Sequence, residues 1–417
     1  MKKYNLIVAG GGLSGVAAAI SAAKEGLSVL LTEKSGCLGG AMSNSLVYPF
    51  MYYWTKGEEG KERKYLCKGI FAEMVKRVKE YDPSSTDTQF KPEYFKLVLD
   101  DMITEAGVDV LFHSTVFKAE TEGRKIKSID IASSSGIITF EADFFVDATG
   151  DGNLFAMAGC DFQLGRESDG LCQPMTTCFR LCGVDMEQFR KDGSKLQELY
   201  KKYQAEGKIK NPREDILTFS GIGEGVLHFN TTRIIKHDPT NVFDISKAEI
   251  TARRQIHELV CFLKENSKAF ENSTVISIAA EIGIRESRKL KGVHILTADE
   301  LKNQVDFEDS IALGNYDIDI HNPSGSGTSH YFFKDGEYYH IPYRSLLPKE
   351  YDNLLVAGRC ISTTHEAQAS IRIMPICACI GEAAGTSIAV AYNSEKTTHN
   401  VDINEIRRKL TQNGAAV

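Results

Sequence analysis

The sequence predicts an α/β fold in which a parallel sheet is assembled from segments far apart in the chain, with a mixed α+β domain inserted between them. Three observations predict it. A short apolar strand, a glycine turn and a small-residue helix open the chain; further wholly apolar strands end in small residues near 148 and 357; a long region of different periodicity separates those two.

Asn5 to Ala9 reads as a buried strand, and Leu13 to Gly26 as a helix of small and apolar residues suited to close packing on a sheet. Gly10, Gly12 and Gly15 lie on the turn between them. There the backbone can approach a pyrophosphate, and the helix opening at Leu13 and Ser14 offers it unpaired N–H groups. Ser28 to Thr32 is the second strand. Glu33 follows at its end, where a carboxylate accepts hydrogen bonds from an adenosine ribose and disfavours a 2′-phosphate. NAD and FAD proteins share this half-site, so the cofactor must be decided elsewhere.

The returning segments favour a flavin. Lys34 leads into a second glycine loop, Leu38-Gly39-Gly40. Phe144 to Ala148 is a strand ending in Thr149-Gly150-Asp151-Gly152, and Leu354 to Ala357 is another, with Gly358-Arg359 at its exit. With GGGLSG, EKSGCLGG, ATGDG, GIRESRKLKG, YDIDIH, IPYRSLLP and LLVAGRCISTTHEAQASIRIMPICACIGEAAG, these motifs span nearly the whole chain. The sequence resembles the FAD-dependent oxidoreductase family with the glutathione-reductase-like FAD-binding fold. That resemblance implies a Rossmann-like FAD-binding domain in discontinuous pieces (1–49, 88–160 and 345–395) and a mixed α+β substrate domain (161–344). An insertion or lid (50–87) and a C-terminal tail helix (396–417) complete the division. It also implies a cofactor site at Gly10, Gly12, Leu13, Ser14, Gly15, Glu33, Lys34, Gly39, Gly40, Ala148, Thr149, Gly150, Asp151, Gly358, Arg359, Met374 and Pro375. The disulfide-reductase members carry an acid where this chain has Arg359, which would here reach the pyrophosphate or ribityl chain.

Pro375 opens a helical run from about Ile376 to Tyr392, rich in alanine and carrying Gly381 and Gly385. Its N-terminus would face the flavin edge where negative charge collects on reduction. At roughly 1 kcal/mol that field shifts a two-electron potential by only about 20 mV.

Between these pieces, the region from Tyr48 through Trp54 and the charged stretch Lys56 to Lys64 reads equally as a lid or a surface excursion, with a helix near Ile70 to Tyr81. A helix over Lys91 to Gly107 and strands over 108–147 follow. Region 161–344 reads as strands and loops around a helix at Ser246 to Asn266. Ile276 to Arg285 alternates apolar with other residues, which predicts a strand presenting Glu281 and Arg285 on one face. An arginine so held grips a carboxylate or polarises a carbonyl; a structural ion pair is the alternative. His228 and Asn230 share a face. Asp319 and His321 alternate too, but further ligands at metal-site spacing are not evident and no metal is expected. His365 is the candidate general acid or base, with Arg372 beside it. Cys377 and Cys379 form C-x-C at a helix start and read as buried small residues. Ile403 to Leu410 predicts an amphipathic helix in a docked tail.

Composition bounds the function. With 417 residues, 42% hydrophobic and 25% charged, the chain has the make-up of a globular protein and not of a disordered one. Acidic residues outnumber basic ones, 56 to 49, without a basic run, so no nucleic-acid partner is expected. Ten scattered cysteines suit reduced thiols and a cytoplasmic setting. The start imitates a signal peptide, yet Gly10 to Gly12 break its apolar core. No uninterrupted apolar run of about 18 residues occurs, so no membrane partner is expected. The sequence reading is an oxidoreductase moving a hydride between a small organic substrate, carboxylate- or hydroxyl-bearing, and the N5 of FAD. NAD(P)H or another donor or acceptor would regenerate the flavin; oligomeric state is left open. The alternatives are an NAD-dependent Rossmann dehydrogenase and a flavoprotein electron-transfer or redox-sensing subunit without a small substrate.

Overall fold

The computed structural model describes residues 3–56 and 62–417, so the charged stretch Lys56 to Lys64 falls partly outside it. The main sheet has seven strands. Its parallel part sets Asp109–Leu111, Val29–Thr32, Lys3–Ala9, the end of Gly136–Asp147 and Leu354–Val356 side by side. These strands are apolar on both faces because helices cover the sheet. Thr115–Glu122 and Lys125–Ser133 continue it in antiparallel fashion. The register aligns the strand ends: Ala9 pairs with Thr32 and with Asp147, and Asp147 pairs with Val356. The strands therefore stop at one level. Gly10, Glu33, Ala148 and Gly358 all leave from the same carboxyl edge, where open α/β sheets bind ligands.

Helix Leu13–Lys24 packs on helix Met374–Asn393. The contact requires glycine, because a Cβ at Gly381 or Gly385 would overlap the carbonyl oxygen of Ser14 or Ala18. Met374–Asn393 is also long and apolar enough to cross a membrane, with a hydropathy of 1.5, although no single apolar run had that length; 89% of it is buried inside the protein. It is a core helix.

Two large cores result. The main one joins the sheet, both of these helices and the tail helix Ile403–Gln412, which docks through Ile406 and Leu410. Phe50, Tyr53 and Trp54 are buried in it, as are Leu296, Ile311, Tyr339 and Ile341 from the later part of the region read as the substrate domain. The second core gathers Phe179, Leu196, Tyr200, Phe229, Leu259 and Phe270. It lies among a four-stranded sheet and helices Met186–Ala205 and Val242–Asn266. The first of those helices was not foreseen. Gly193 interrupts its pattern and only Leu196 and Tyr200 are buried, so its apolar stripe is too thin to read.

The alternating strand expected from Ile276 to Arg285 is corrected. The strand is Thr274–Ile278, an edge strand, and Ile276 is 51% exposed. Beyond it the chain leaves the ladder, held by Ala279 N–H to the Cys178 carbonyl at 2.9 Å and Glu281 N–H to the Asn44 carbonyl at 3.0 Å, until Thr176 and Gly283 exchange backbone hydrogen bonds of 3.0 and 2.7 Å. Glu281 consequently does not accompany Arg285; it pairs with Lys34 at 2.8 Å.

Candidate cofactor and substrate site

The glycine turn is fixed by contacts that no side chain could survive. Gly10 has φ +102°, and a Cβ there would run into the Ala148 backbone; a Cβ on Gly15 would overlap the Gly10 carbonyl. Gly12 is different. A Cβ there would meet nothing within 4 Å, and it stands at the N-terminus of helix Leu13–Lys24, which no side chain caps. Glu33 accepts hydrogen bonds from Gly11 N–H at 2.7 Å and Ser35 N–H at 2.8 Å, which aims its carboxylate along the turn. A cavity of about 70 Å³ opens here, lined by Gly10, Thr32, Glu33, Lys34, Thr149 and Asp151 among others.

A second cavity, of about 120 Å³, lies beyond the turn. Its walls include Ala41, Arg359, Arg372 and Met374 from segments of the main core, and Thr176, Cys178 and Asn230 from beside the second sheet, with Arg285. Arg359 donates to Asp151 at 2.6 Å, so one ion pair links the wall of each cavity. Burial opposes its charge, but Asp151 outweighs burial and raises the guanidinium's pKa. Gly150 has φ +77°, a conformation that favours glycine, and it lies against Arg359, whose Nη1 would stand 2.8 Å from a Cβ there. The loop Leu38 to Gly40 bridges Gly12 through Gly39, and Gly39 N–H donates to the Gly11 carbonyl at 2.8 Å. Pro375 lies in the first turn of Met374–Asn393, whose N-terminus also lacks a side-chain cap.

These residues fit a dinucleotide. Two helix N-termini without side-chain caps, at Gly12 and at Met374, the open space at Gly12, and the buried, unpartnered Ser14 Oγ and Arg359 Nε offer donors and room for one. Of the sequence-predicted cofactor residues, Gly10, Glu33, Lys34, Thr149 and Asp151 line the first cavity and Arg359 and Met374 the second.

Of the three candidate catalytic residues, two face the second cavity. Arg285 donates through Nη1 to the Pro174 carbonyl at 2.7 Å and to Thr176 Oγ1 at 2.6 Å, and through Nη2 to Asn230 Oδ1 at 3.4 Å. Among the described residues no carboxylate forms an ion pair with it. Burial and then the repulsion of Arg372 push its pKa down to about 9. Arg372 donates to Asp319 Oδ2 at 3.1 Å and keeps a buried Nε unpaired. Burial pushes the Asp319 carboxyl up, but His321, Arg372 and Arg285 together hold it well below its usual range.

His365 lies elsewhere. It is 6% exposed and its Nδ1 sits 2.9 and 2.8 Å from the two oxygens of Glu286, which also binds Lys289 and accepts from Gln173 N–H. Burial raises the Glu286 carboxyl, but His365 and Lys289 prevail and lower it. The cluster anchors the segment next to Arg285, whose carbonyl accepts from Gln368 at 2.8 Å. Cys377 is buried and its thiol pushed up to about 12, so the helix start stabilises no thiolate there.

His321 is also taken: its Nδ1 lies 3.1 Å from Arg233 Nη2, and burial followed by Arg285 pushes its pKa down to about 3. The hairpin strands Ile318–His321 and Thr328–Tyr331 bring Asp317, Asp319 and His330 within 4.8 Å of one another, a grouping that needed the cross-strand pair Asp319 to His330 and so was invisible in sequence spacing. Thr176 and Asn230 were likewise passed over as site residues, because only the return of the second sheet to the first gives them their place.

No curated protein matches the sequence. Several solved structures are similar at low identity. A geranylgeranyl bacteriochlorophyll reductase-like protein from Thermoplasma acidophilum is 14% identical, with 100% of this chain and 85% of that one covered and a TM-score of 0.47. p-Nitrophenol 4-monooxygenase from Pseudomonas putida DLL-E4 is 10% identical over 100% and 87%, TM-score 0.46. The myxobacterial chondrochloren halogenase is 14% identical over 98% and 79%, TM-score 0.46. The family model described as FAD dependent oxidoreductase matches residues 5–410, nearly the entire chain, and the protein belongs to that family of FAD-dependent enzymes.

Proposed function

We propose that this FAD-dependent oxidoreductase transfers a hydride between a small carboxylate- or hydroxyl-bearing substrate and the flavin, with the dinucleotide laid along the sheet edge in the glutathione-reductase-like manner. One observation carries the reading. Arg285 and Arg372 line the same cavity as Arg359 and Met374. FAD, when bound, supplies the two-electron acceptor or donor at N5.

The chain's own residues supply the rest. Two guanidinium groups share Asp319 as their nearest counter-charge, so an anionic or carbonyl oxygen entering the cavity relieves their repulsion. Thr176, Pro174 and Asn230 fix Arg285 in one orientation before substrate arrives. Arg372 is steered by Asp319 in the same way. We assign His365 a positioning role: through Glu286 it holds the backbone that presents Arg285. The uncapped start of Met374–Asn393 adds a positive field on the cofactor's side. All ten cysteines are free, which supports work in a reducing compartment such as the cytoplasm.

The visible spectrum of the purified protein, followed by anaerobic bleaching with hydroxy acids, amino acids and sugars, tests the proposal. Rapid bleaching by one of these is expected, and Arg285→Met and Arg372→Met should each slow it about 100-fold or more with FAD content unchanged. A flavin that no small molecule reduces, but that a partner protein does, would replace this reading by that of an electron-transfer subunit.

A further inference from the structure

The substrate-domain sheet carries a second set of polar groups that the reaction does not use. Arg180 and His228 are cross-strand partners on strands Phe179–Cys182 and Leu227–Phe229, so their side chains leave the same face. Cys178 and Asn230, each two residues away on that face, line the substrate cavity. The arginine and histidine therefore stand about 7 Å further along, one rung beyond the cavity wall.

Arg180 is 6% exposed and His228 wholly buried. Among the described residues neither finds a hydrogen-bond partner: Arg180 Nε and Nη2, and both ring nitrogens of His228, are buried and unpaired. Buried polar groups are almost always satisfied, and a buried guanidinium that no side chain bonds is a costly exception; the Glu93 carboxylate acts on Arg180 without forming an ion pair with it. Nε and Nη2 form one edge of the guanidinium, the edge that meets a carboxylate side-on through two parallel hydrogen bonds. Burial lowers the pKa of Arg180, and burial with Arg180 beside it pushes His228 down to about 3, so the imidazole is neutral and has one N–H to give. Tyr48 closes the group, its ring centroid 5.6 Å from that of His228 and its hydroxyl already donating to the Ser220 carbonyl. The charges of Arg285 and Arg180 both act on the buried Cys178 thiol, so both arginines lie within range of that residue.

We propose that Arg180 and His228 form a carboxylate subsite for the end of the substrate remote from the flavin. The substrate is then an elongated molecule with its reacting carbon at Arg285 and an acid group at Arg180. The inference rests on the proposed reading of the cavity as the substrate's.

The FAD-loaded protein is titrated with hexanoate and phenylacetate and with their uncharged amides, read by melting temperature and by the flavin difference spectrum. The wild type should bind each acid at least tenfold more tightly than its amide. Arg180→Met should bring acid and amide within twofold of each other, with FAD content unchanged and a melting temperature no lower than wild type, because it removes a buried unpaired charge. Arg180→Lys, which keeps the charge and loses the bidentate edge, should retain only part of the preference. A wild type indifferent to the charge, or an acid preference that survives in both variants, overturns the subsite. Flavin reduction is scored apart: a protein that binds acids through Arg180 yet is reduced by none loses the proposed reaction and keeps the subsite.

Discussion

Glu382 shows how much one buried side chain can impose on the whole molecule. It is 1% exposed on helix Met374–Asn393, and its carboxylate accepts from Ile70 N–H at 2.9 Å, at the start of helix Ile70–Tyr81. Gly69 leaves it room, since a Cβ there would overlap the carboxylate. Burial raises its pKa from 4.5 to about 7, against the pull of the Ile70 hydrogen bond and of Lys24, while Glu73 adds to the rise. Between those two values the unfolded chain has lost the proton that the folded chain keeps. The stability that depends on this proton is therefore fully present below pH 4.5 and is lost as pH rises to about 7, a difference on the order of 3 kcal/mol. Glu382→Gln keeps the acceptor for Ile70 and has nothing to ionise. Urea midpoints should show the variant more stable than wild type at pH 8 and equal to it at pH 4. The same difference between variant and wild type at both pH values would mean that Glu382 titrates in the fold as it does in the unfolded chain.

Helices Leu13–Lys24 and Met374–Asn393 are the elements on which cofactor and core meet. Their contact is set by Gly381 against Ser14 and Gly385 against Ala18, one turn apart. Alanine at either position should cost about 1–3 kcal/mol by overpacking. The consequences should then diverge. Gly381→Ala pushes on Ser14, in the first turn facing the dinucleotide, and should weaken FAD binding as well as lower the melting temperature; Gly385→Ala should lower the melting temperature with FAD affinity nearly intact. Fluorescence titration of FAD beside thermal melts separates the two, and equal losses of affinity would refute the division of labour. The same elements explain what sequence could disclose. The strand, turn, helix and Glu33 were legible because their spacing is the function, and Ile70–Tyr81 because its apolar stripe is complete. Met186–Ala205 was hidden by its two-residue stripe, and Ile276 to Ile284 misled because a sheet edge and an irregular loop share its alternation. Arg180 was missed for another reason: one arginine between apolar neighbours becomes informative only when its lack of a partner is visible.

At the scale of the whole molecule, the proposed FAD site sets the cofactor's two ends in different surroundings. The cavity at Glu33 is lined by residues of the main sheet and its loops alone, whereas the cavity at Arg359 is closed by Thr176, Asn230 and Arg285, which adjoin the second core's sheet. A ligand confined to the first cavity can stabilise only the part that forms it, by roughly 2.7 kcal/mol at a hundredfold excess over its dissociation constant. One that reaches both must couple the two cores. ADP added to FAD-stripped protein should accordingly raise one calorimetric transition and leave the second core's melting in place, while FAD should raise both and draw them together. If ADP and FAD shifted the profile alike, the flavin end would not be held between the cores, and the converging arginines would lose their claim on the chemistry; if FAD alone merged the transitions, the site would exist only when the two cores dock around the cofactor.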